Sequence, residues 1–489
     1  MQRKINIVII ITALMLNAVV FADTTYIASK GAAISSQFSK LHPGDTLLIM
    51  PGTYNYISQC WTIRDGTPDK PIVARAASPN TVFIKHTNEE EFVVAHRYLI
   101  VENLNLSCYG SSSHHFKCNS NNPTSGQYLQ IRNCVLTGFG ESLIKAGDLT
   151  VGLPSVIYPG DFLLIEGCEI TSDSLGLYGN GNGFNLDGPD NCVIRNNWIH
   201  DLERTQGSSA GDPTYSGFFK GGCQNEIIEG NIFGPGAYMR GFCFGGGCML
   251  THYRDERTYE TDNVCYRNNI LVNLPYVEFD CGDNPNSKVY HNTIINCAGT
   301  ITASDVRNNL ILGGTATAGS GSNNYKGTYS SAYFWDPANR NYALKTTATA
   351  LIGKVARMDS VLTDKLGTAR PGMVSYGAYE AYDVNPVAAE SQGNTLPEVL
   401  GMDIQPNPVT SGAVVDYRLA VPMRCVEIGV YDLSGRTVRV LFYGTQAAGE
   451  YSLRWNGRGH TEAAIASGVY ILRIRAGERQ CIRQFIKIQ

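Results

Sequence analysis

A short phrase recurs along the middle of the chain, and its recurrence limits what the chain can fold into. It reads "VENLNL" from Val101, "IRNCVL" from Ile131, "IEGCEI" from Ile165 and "IRNNWI" from Ile194. It continues as "IEGNIF" from Ile228, "YRNNIL" from Tyr266, "YHNTII" from Tyr290 and "VRNNLI" from Val306. Each copy is apolar, polar, Asn or Gly, variable, then largely apolar. Successive starts lie between 16 and 38 residues apart, so the strand core is constant and the loops vary. A short apolar strand cannot bury one face alone. Stacking each coil on the next, about 4.8 Å away, buries a continuous core. Asn and Gly in the third position suit a sharp bend, because both tolerate left-handed backbone. Stacked asparagines can also hydrogen-bond along the axis. An antiparallel sandwich would need hairpin dipeptides, which are rare here, and the phrase always runs in one direction. The expectation is an all-β chain built around a parallel β-helix, or solenoid.

Such an array needs its open ends covered. Between Ala32 and Leu41, Ile34, Phe38 and Leu41 fall at helical spacing, which predicts a short amphipathic cap. "FWDPANRNYALKTTATALIGK" and "SYGAYE" are expected to close the far end. Cys134 and Cys168 fall in one column of consecutive coils. They could form a disulfide or stack as buried thiols.

The N-terminus has the layout of a signal peptide over 1–22: Arg3 and Lys4, an apolar run from Ile5 to Val20, then "VFA". The expected mature protein is secreted or on the cell surface, exported through the periplasm. The chain carries 14 cysteines, which fits an oxidising compartment, and no CxxC pair suggests zinc. With a formal net charge of −4 and no basic run, it has no electrostatic footprint for nucleic acid. We expect a monomer.

Residues "PGDTLLIMPGTY", "GTPDKPIVARAASPNTVFI" and "RYLIVENLNL" resemble the N-terminal coils of secreted right-handed parallel β-helix proteins. They are most similar to the chondroitinase B-like polysaccharide lyases, which include alginate lyases, in the pectate lyase-like superfamily. "DKLGTARPG" and "YGAYE" resemble the closing segment of many such proteins. The resemblance implies a right-handed helix over 23–382, a polysaccharide partner and β-elimination on an acidic sugar.

Residues 383–398 are polar with prolines and no periodicity, as in a linker. Over 399–489 the pattern alternates. Val426, Ile428 and Val430 precede the turn "YDLSGR", and Tyr470, Leu472 and Ile474 interleave with Ile471, Arg473 and Arg475. This predicts a small immunoglobulin-like β-sandwich. "IQPNPVTSGAVVDYRL", "VEIGVYDLSGRTVRVL" and "ASGVYILRIRAGERQCIRQFIKIQ" resemble a type A sorting domain of the type IX secretion system. The implied partner is the type IX machinery. A plain immunoglobulin-like binding module is the alternative.

The largest departures from the coil rhythm lie between Ile194 and Tyr266, and loops on a rigid solenoid are where function tends to sit. A lyase must neutralise the uronate carboxylate, remove the adjacent carbon-bound proton and protonate the leaving oxygen. Lys220, among aromatics and glycines, fits the base. Arg240, His252 and Arg254 are the candidates to assist it. Tyr215, Tyr253, Arg204 and His200 are candidate sugar-binding side chains. In the similar lyases calcium is held by acidic residues just before the lysine, whereas "YSGFF" precedes Lys220 here. Asp187 and Asp212 remain as candidate calcium ligands. A glycoside hydrolase using Asp187 with Asp212 is an alternative, as is a surface protein that binds glycans without turnover. Each side chain also has a plainer reading. Lys220 could be a solvated turn lysine beside Gly221, and Arg240 a surface side chain lying over an apolar coil.

Overall fold

The computed structural model describes residues 24–488 apart from 30–33, 56–57, 88–90, 110–113, 119–123, 148–159, 173–176, 179–180, 207–212, 246–253, 255–256, 278, 280–281, 320, 384, 387–399, 420–422, 432–436, 447–448, 460–463 and 477–478. The chain is all-β, a parallel solenoid followed in sequence by a small antiparallel sandwich. Among the described residues, three parallel sheets of 11, 11 and 7 strands run in chain order, each coil adding a strand to its predecessor. The described residues divide into two compact units. One comprises Met1–Ile227, Gly236–Asn263 and Asp280–Pro285; the other comprises Ile228–Pro235, Val264–Phe279 and Asn286–Gln489.

The repeated phrase is the first sheet, its bend and the start of the second sheet. Ile131 pairs in register with Val101 and with Ile165, and Ile165 with Ile194. All four are fully buried. In the second unit the same column is Tyr266, Val289 and Val306. The seventh copy therefore starts at Val289, one residue before the expected Tyr290. Both are apolar and buried, so hydropathy alone cannot choose between them. The bend decides: His291, not Asn292, takes the left-handed conformation (φ 53°).

The third position bends as expected. Asn103, Asn133, Asn196, Asn268 and Asn308 have φ between 51° and 63°, and Gly167 and Gly230 take the same turn. The hydrogen-bonded ladder belongs to the next position instead. Asn231 Nδ2 donates to Asn269 Oδ1, Asn269 Nδ2 to Asn292 Oδ1, Asn292 Nδ2 to Asn309 Oδ1 and Asn309 Nδ2 to Asn324 Oδ1, at 2.9–3.1 Å. The amides of Asn269, Asn292 and Asn309 also donate to the backbone carbonyls of Ile228, Tyr266 and Val289. This satisfies polar groups inside an apolar core, where an orphan would be expensive. In the first unit Cys134 and Cys168 hold the same position as buried free thiols, so the stacked-thiol alternative is the one found. Cys243 is disulfide-bonded.

The cap forms as Ile34–Phe38, with both named residues buried and Phe38 edge-on to Phe92 at 5.8 Å. The far segment does more than close an end. Arg267 reaches Ser360 O, Asn268 Nδ2 reaches Thr363 O and Lys365 Nζ reaches Gly230 O. Residues 356–378 thus run beside the bends of the second unit. Arg370 anchors them, fully buried between Glu380 and Asn268.

In the C-terminal sandwich, Leu400–Gln405, Ala413–Leu419 and Gly449–Trp455 form one antiparallel sheet. Thr437–Gln446, Met423–Tyr431, Gly468–Ala476 and Arg479–Lys487 form the other. Val426, Ile428, Val430, Leu472 and Ile474 are buried in its core with Trp455 and Phe485, as alternation required.

Candidate functional site

The candidate site lies on the outer face of the seven-stranded sheet. Its strands are Cys60–Trp61, Phe92–Val93, Phe116–Cys118, Ser142–Ala146, Asn182–Asp187, Thr214–Lys220 and Met239–Phe244. Alternation fixes the faces. Phe184, Leu186, Phe219 and Phe244 are buried at 0% exposure, which turns Asn185, Asp187, Phe218 and Lys220 to the other side.

Asp187 and Lys220 are register partners on adjacent strands. Lys220 Nζ stands 3.4 Å from Asp187 Oδ1, with side-chain exposures of 19% and 14%. The ammonium also sits 4.9 Å from the Phe218 ring centre. A carboxylate and an aromatic face both favour the charged amine. Asn185, two residues before Asp187, is 8% exposed, and its Oδ1 is buried without a hydrogen-bond partner.

Past Lys220 the two glycines serve packing. Gly221 and Gly222 have φ of +72° and +86°. A Cβ on Gly222 would come within 3.1 Å of Arg257 Cδ and 3.4 Å of Arg254 N. Arg254 N donates to Gly221 O at 3.0 Å, and Gly221 N to Glu260 Oε2 at 3.1 Å. The arginines of this returning segment are held by carboxylates. Arg254 grips Asp161 with bonds of 2.6 and 3.1 Å, and Arg257 grips Asp190 with bonds of 2.8 and 2.9 Å. Burial works against the Arg254 cation, but the Asp161 bond and charge outweigh it and raise its pKa. Arg254 therefore acts as a bidentate clamp beneath the Lys220 turn.

The register moves Arg240 away from Lys220. Arg240 pairs with Tyr215, and the position after Phe244, Gly245, stands opposite Lys220. Tyr215 and Lys220 are five residues apart on one strand, roughly 16 Å at strand rise. Arg240 Nη1 donates to Tyr215 Oη at 3.2 Å and its guanidinium lies 5.3 Å from that ring centre. Asn182 joins the group: its Oδ1 accepts from Tyr215 N at 3.2 Å and from Arg204 Nη2 at 3.1 Å. Tyr215, Arg204 and Arg240 thus form one cluster, at the opposite end of the strand from Lys220.

His200 belongs to the second sheet, not this one. It stacks on Trp198 at 3.5 Å and contacts Asp201 at 2.7 Å and Glu169 at 3.4 Å. His252, Tyr253 and Asp212 lie outside the described residues. Among the described residues no group of three or more His, Cys, Asp or Glu could hold a metal. Asp187 and Asn185 supply two side-chain positions with oxygen, and calcium takes six to eight oxygens. The residues described do not fit a calcium cage.

Sequence reasoning missed Asn185, and with it Lys117 and Lys145 in the same outward column. The signal was the register of the third sheet, which has no repeated phrase to count from.

The chondroitinase B family profile matches residues 29–174, and the FlgD Ig-like domain profile matches 405–480. The first match ends before Asp187, Lys220 and Arg240. No curated protein matches the chain. Solved structures similar to it include a mannuronic acid specific family 6 polysaccharide lyase from human gut microbiota. That likeness has 15% identity and TM-score 0.39, covering 62% of this chain and 78% of that one. The family 6 polysaccharide lyase of Pseudopedobacter saltans is similar at 12% identity and TM-score 0.34, covering 66% and 96%. PorZ, a type IX secretion surface component of Porphyromonas gingivalis, is similar at 23% identity and TM-score 0.14, covering 18% and 12%.

Proposed function

We propose that the chain is an exported polysaccharide lyase that cleaves an acidic polysaccharide by β-elimination at Lys220. The observation that carries the reading is Lys220 itself. It is a half-buried amine on the outer face of a parallel sheet, beside a carboxylate and an unsatisfied amide oxygen. The match of 29–174 to the chondroitinase B family supports the substrate class.

In the reaction the uncharged Lys220 amine takes the proton from the sugar carbon next to the carboxylate. The electron pair left on that carbon forms the double bond as the glycosidic oxygen departs, taking its proton from solvent water. Asp187 holds the amine in place and favours its charged form, so the working fraction grows with pH. No step is routed through calcium. Arg240, Tyr215 and Arg204, at the far end of the strand, bind sugars rather than touch the reacting carbon.

Incubation with alginate, chondroitin or pectate should raise ultraviolet absorbance from the unsaturated product, and Lys220→Ala should abolish the rise. New reducing ends without that absorbance would mean a hydrolase. A second reading, glycan binding without turnover, draws on the Asp187–Lys220 pair, because a permanently charged lysine binds carboxylates but removes no proton. Binding with neither product would establish it.

Residues 399–489 are proposed to direct export through the type IX machinery, supported by their sorting-domain motifs and the FlgD Ig-like match at 405–480. A chain ending at Tyr382 should then stay in the periplasm. Its normal export would rule this out.

A further inference from the structure

Asp187 and Lys220 are each followed by a left-handed glycine turn, at Gly188 (φ +77°) and at Gly221 and Gly222 (φ +72° and +86°). The carbonyls of all three glycines accept from one returning segment. Arg254 N donates to Gly221 O at 3.0 Å, and Arg254 Nη1 donates to Gly188 O at 3.0 Å. Arg257 Nη1 donates to Gly222 O. The two turns also bond to each other, Gly188 N donating to Lys220 O at 2.8 Å. One arginine therefore touches the backbone directly after both members of the Asp187–Lys220 pair.

The arginines are themselves fixed by earlier bends of the chain. Asp161 holds Arg254 through both carboxylate oxygens, and Asp190 holds Arg257 in the same way. Asp190 N donates to Asp161 Oδ1 at 2.8 Å, which ties the two anchors together. No side chain of the four is more than 15% exposed.

We propose that Arg254 is a positioning residue for Lys220. By holding the carbonyls of Gly188 and Gly221, with Arg257 bracing Gly222, it keeps the lysine at a set distance from Asp187, short of a direct bond. The assignment deepens the lyase reading and rests on it for what the amine does.

Three observations carry it. First, 3.4 Å is long for an ammonium and a carboxylate, which close to about 2.8 Å when free to do so. The gap is set by the strand ends that carry the two side chains. Second, a buried ion pair adds little stability that an apolar pair of similar volume would not. What arginine adds is a planar fork with donors in fixed directions, and here Nη1 serves Asp161 Oδ1 and Gly188 O together. Third, glycine leaves a turn free to move, and donors from one segment remove that freedom beside both members of the pair.

Asp187 faces the amine from the adjacent strand. Asp161, Asp190, Glu260 and the Cys223 thiol face the backbone of the turns and their arginines, and Glu226 is buried close to Cys223. A closer Asp187 would hold the amine's proton more tightly. Loss of the Arg254 contacts should thus leave less uncharged lysine at a given pH.

The test reads the Lys220 amine without substrate. The full chain is trace-labelled with acetic anhydride across a pH series, and the Lys220 peptide is followed by mass spectrometry. Arg254→Lys keeps a cation for Asp161 but cannot serve both its oxygens and Gly188 O. Arg254→Met with Asp161→Asn leaves neither charge of the pair buried alone, and the amide oxygen can still accept from Asp190 N. In the double variant the labelling midpoint should move to higher pH by about half a unit, about threefold less free amine at a given pH. In Arg254→Lys it should move the same way by less. Adding Asp187→Asn should abolish the movement, because the effect acts through that carboxylate. A midpoint within about 0.1 unit of the parent in both variants, or a movement that survives Asp187→Asn, would overturn the proposal. If the double variant melts more than about 2 °C below the parent, Arg254→Lys alone decides. With alginate or pectate, kcat near neutral pH should fall by about threefold with KM within about twofold, and recover at alkaline pH. The lyase reading is judged separately. No unsaturated product from the unmutated chain would discard the lyase and leave the labelling to judge the positioning.

Discussion

Asp187 and Lys220 stand opposite one another on adjacent strands, their charged ends 3.4 Å apart. The pairing gives Lys220 a fixed direction, but a carboxylate at that distance resists loss of the amine's proton. If Lys220 is the base, activity should therefore climb toward alkaline pH. Asp187→Asn keeps the shape and removes the charge, so the climb should move to lower pH. A pH series of kcat/KM for both proteins checks this. A profile that keeps its position in Asp187→Asn would show that the pair is only structural.

Chelation tests the calcium expectation. Lys220 Nζ stands 3.4 Å from Asp187 Oδ1, and among the described residues no group of three or more His, Cys, Asp or Glu could hold a metal. Treatment with EDTA should leave the rate of product formation unchanged. A loss restored by added calcium would place ligands in the segment containing Asp212.

His291 ties stability to pH. Burial first, then the nearby Arg370 charge, depresses its pKa to about 2, and Asn308 Nδ2 donates to its Nε2 at 3.0 Å. A folded-state pKa far below the unfolded value means that the unfolded chain binds the proton first. The stability that neutral His291 contributes is present above about pH 6.5 and falls as pH drops, by up to about 1.4 kcal/mol per unit. His291→Asn places at this left-handed position the residue that Asn268 and Asn308 place there on neighbouring coils. The variant should resist acid better than the parent between about pH 6 and about pH 4, measured by urea unfolding at each pH.

The asparagine ladder should be intolerant of a gap. Asn292 Oδ1 accepts from Asn269 N and Nδ2, and its own N and Nδ2 donate to Asn309 Oδ1. Asn292→Ala leaves the buried Asn269 N–H without its acceptor and removes one of two donors from Asn309 Oδ1, which keeps Asn292 N, so it should cost about 2 kcal/mol, at 1–3 kcal/mol for an orphaned buried group. Asn225→Gly, at an exposed side-chain bond on a left-handed outer turn (φ 65°) that glycine also tolerates, should cost well under about 1 kcal/mol. Equal losses for the two would show that the ladder contributes nothing special.

The fold was legible where one residue had to do one job on every coil. Val101, Ile131, Ile165 and Ile194 fill one buried column, and Asn103, Asn133 and Asn196 make one bend, so the pattern repeats in the letters. It blurred where two apolar residues adjoin, as at Val289 and Tyr290. The candidate site was harder to read. "FKC", "SLIKA", "NGFNLD" and "TYSGFFK" share no phrase, so no repeated letters mark which of their positions face outward. Lys220 stood out by its isolation among glycines. Arg240 looked adjacent because it is near in sequence, yet the pairing of Tyr215 with Arg240 carries it to the other end of the strand. Lys117 and Lys145 became neighbours of Asn185 only once the intervening loops had been counted out.

In the ladder, each asparagine from Asn231 to Asn309 offers the next coil the same amide that it presents to the one before. A coil is thus an interchangeable part, with matching faces above and below. Duplication or loss of one coil leaves no mismatched junction in the core, while shifting by one step everything mounted on the outside. In a solenoid of this kind, the length of the outer face is inherited as a whole number of coils.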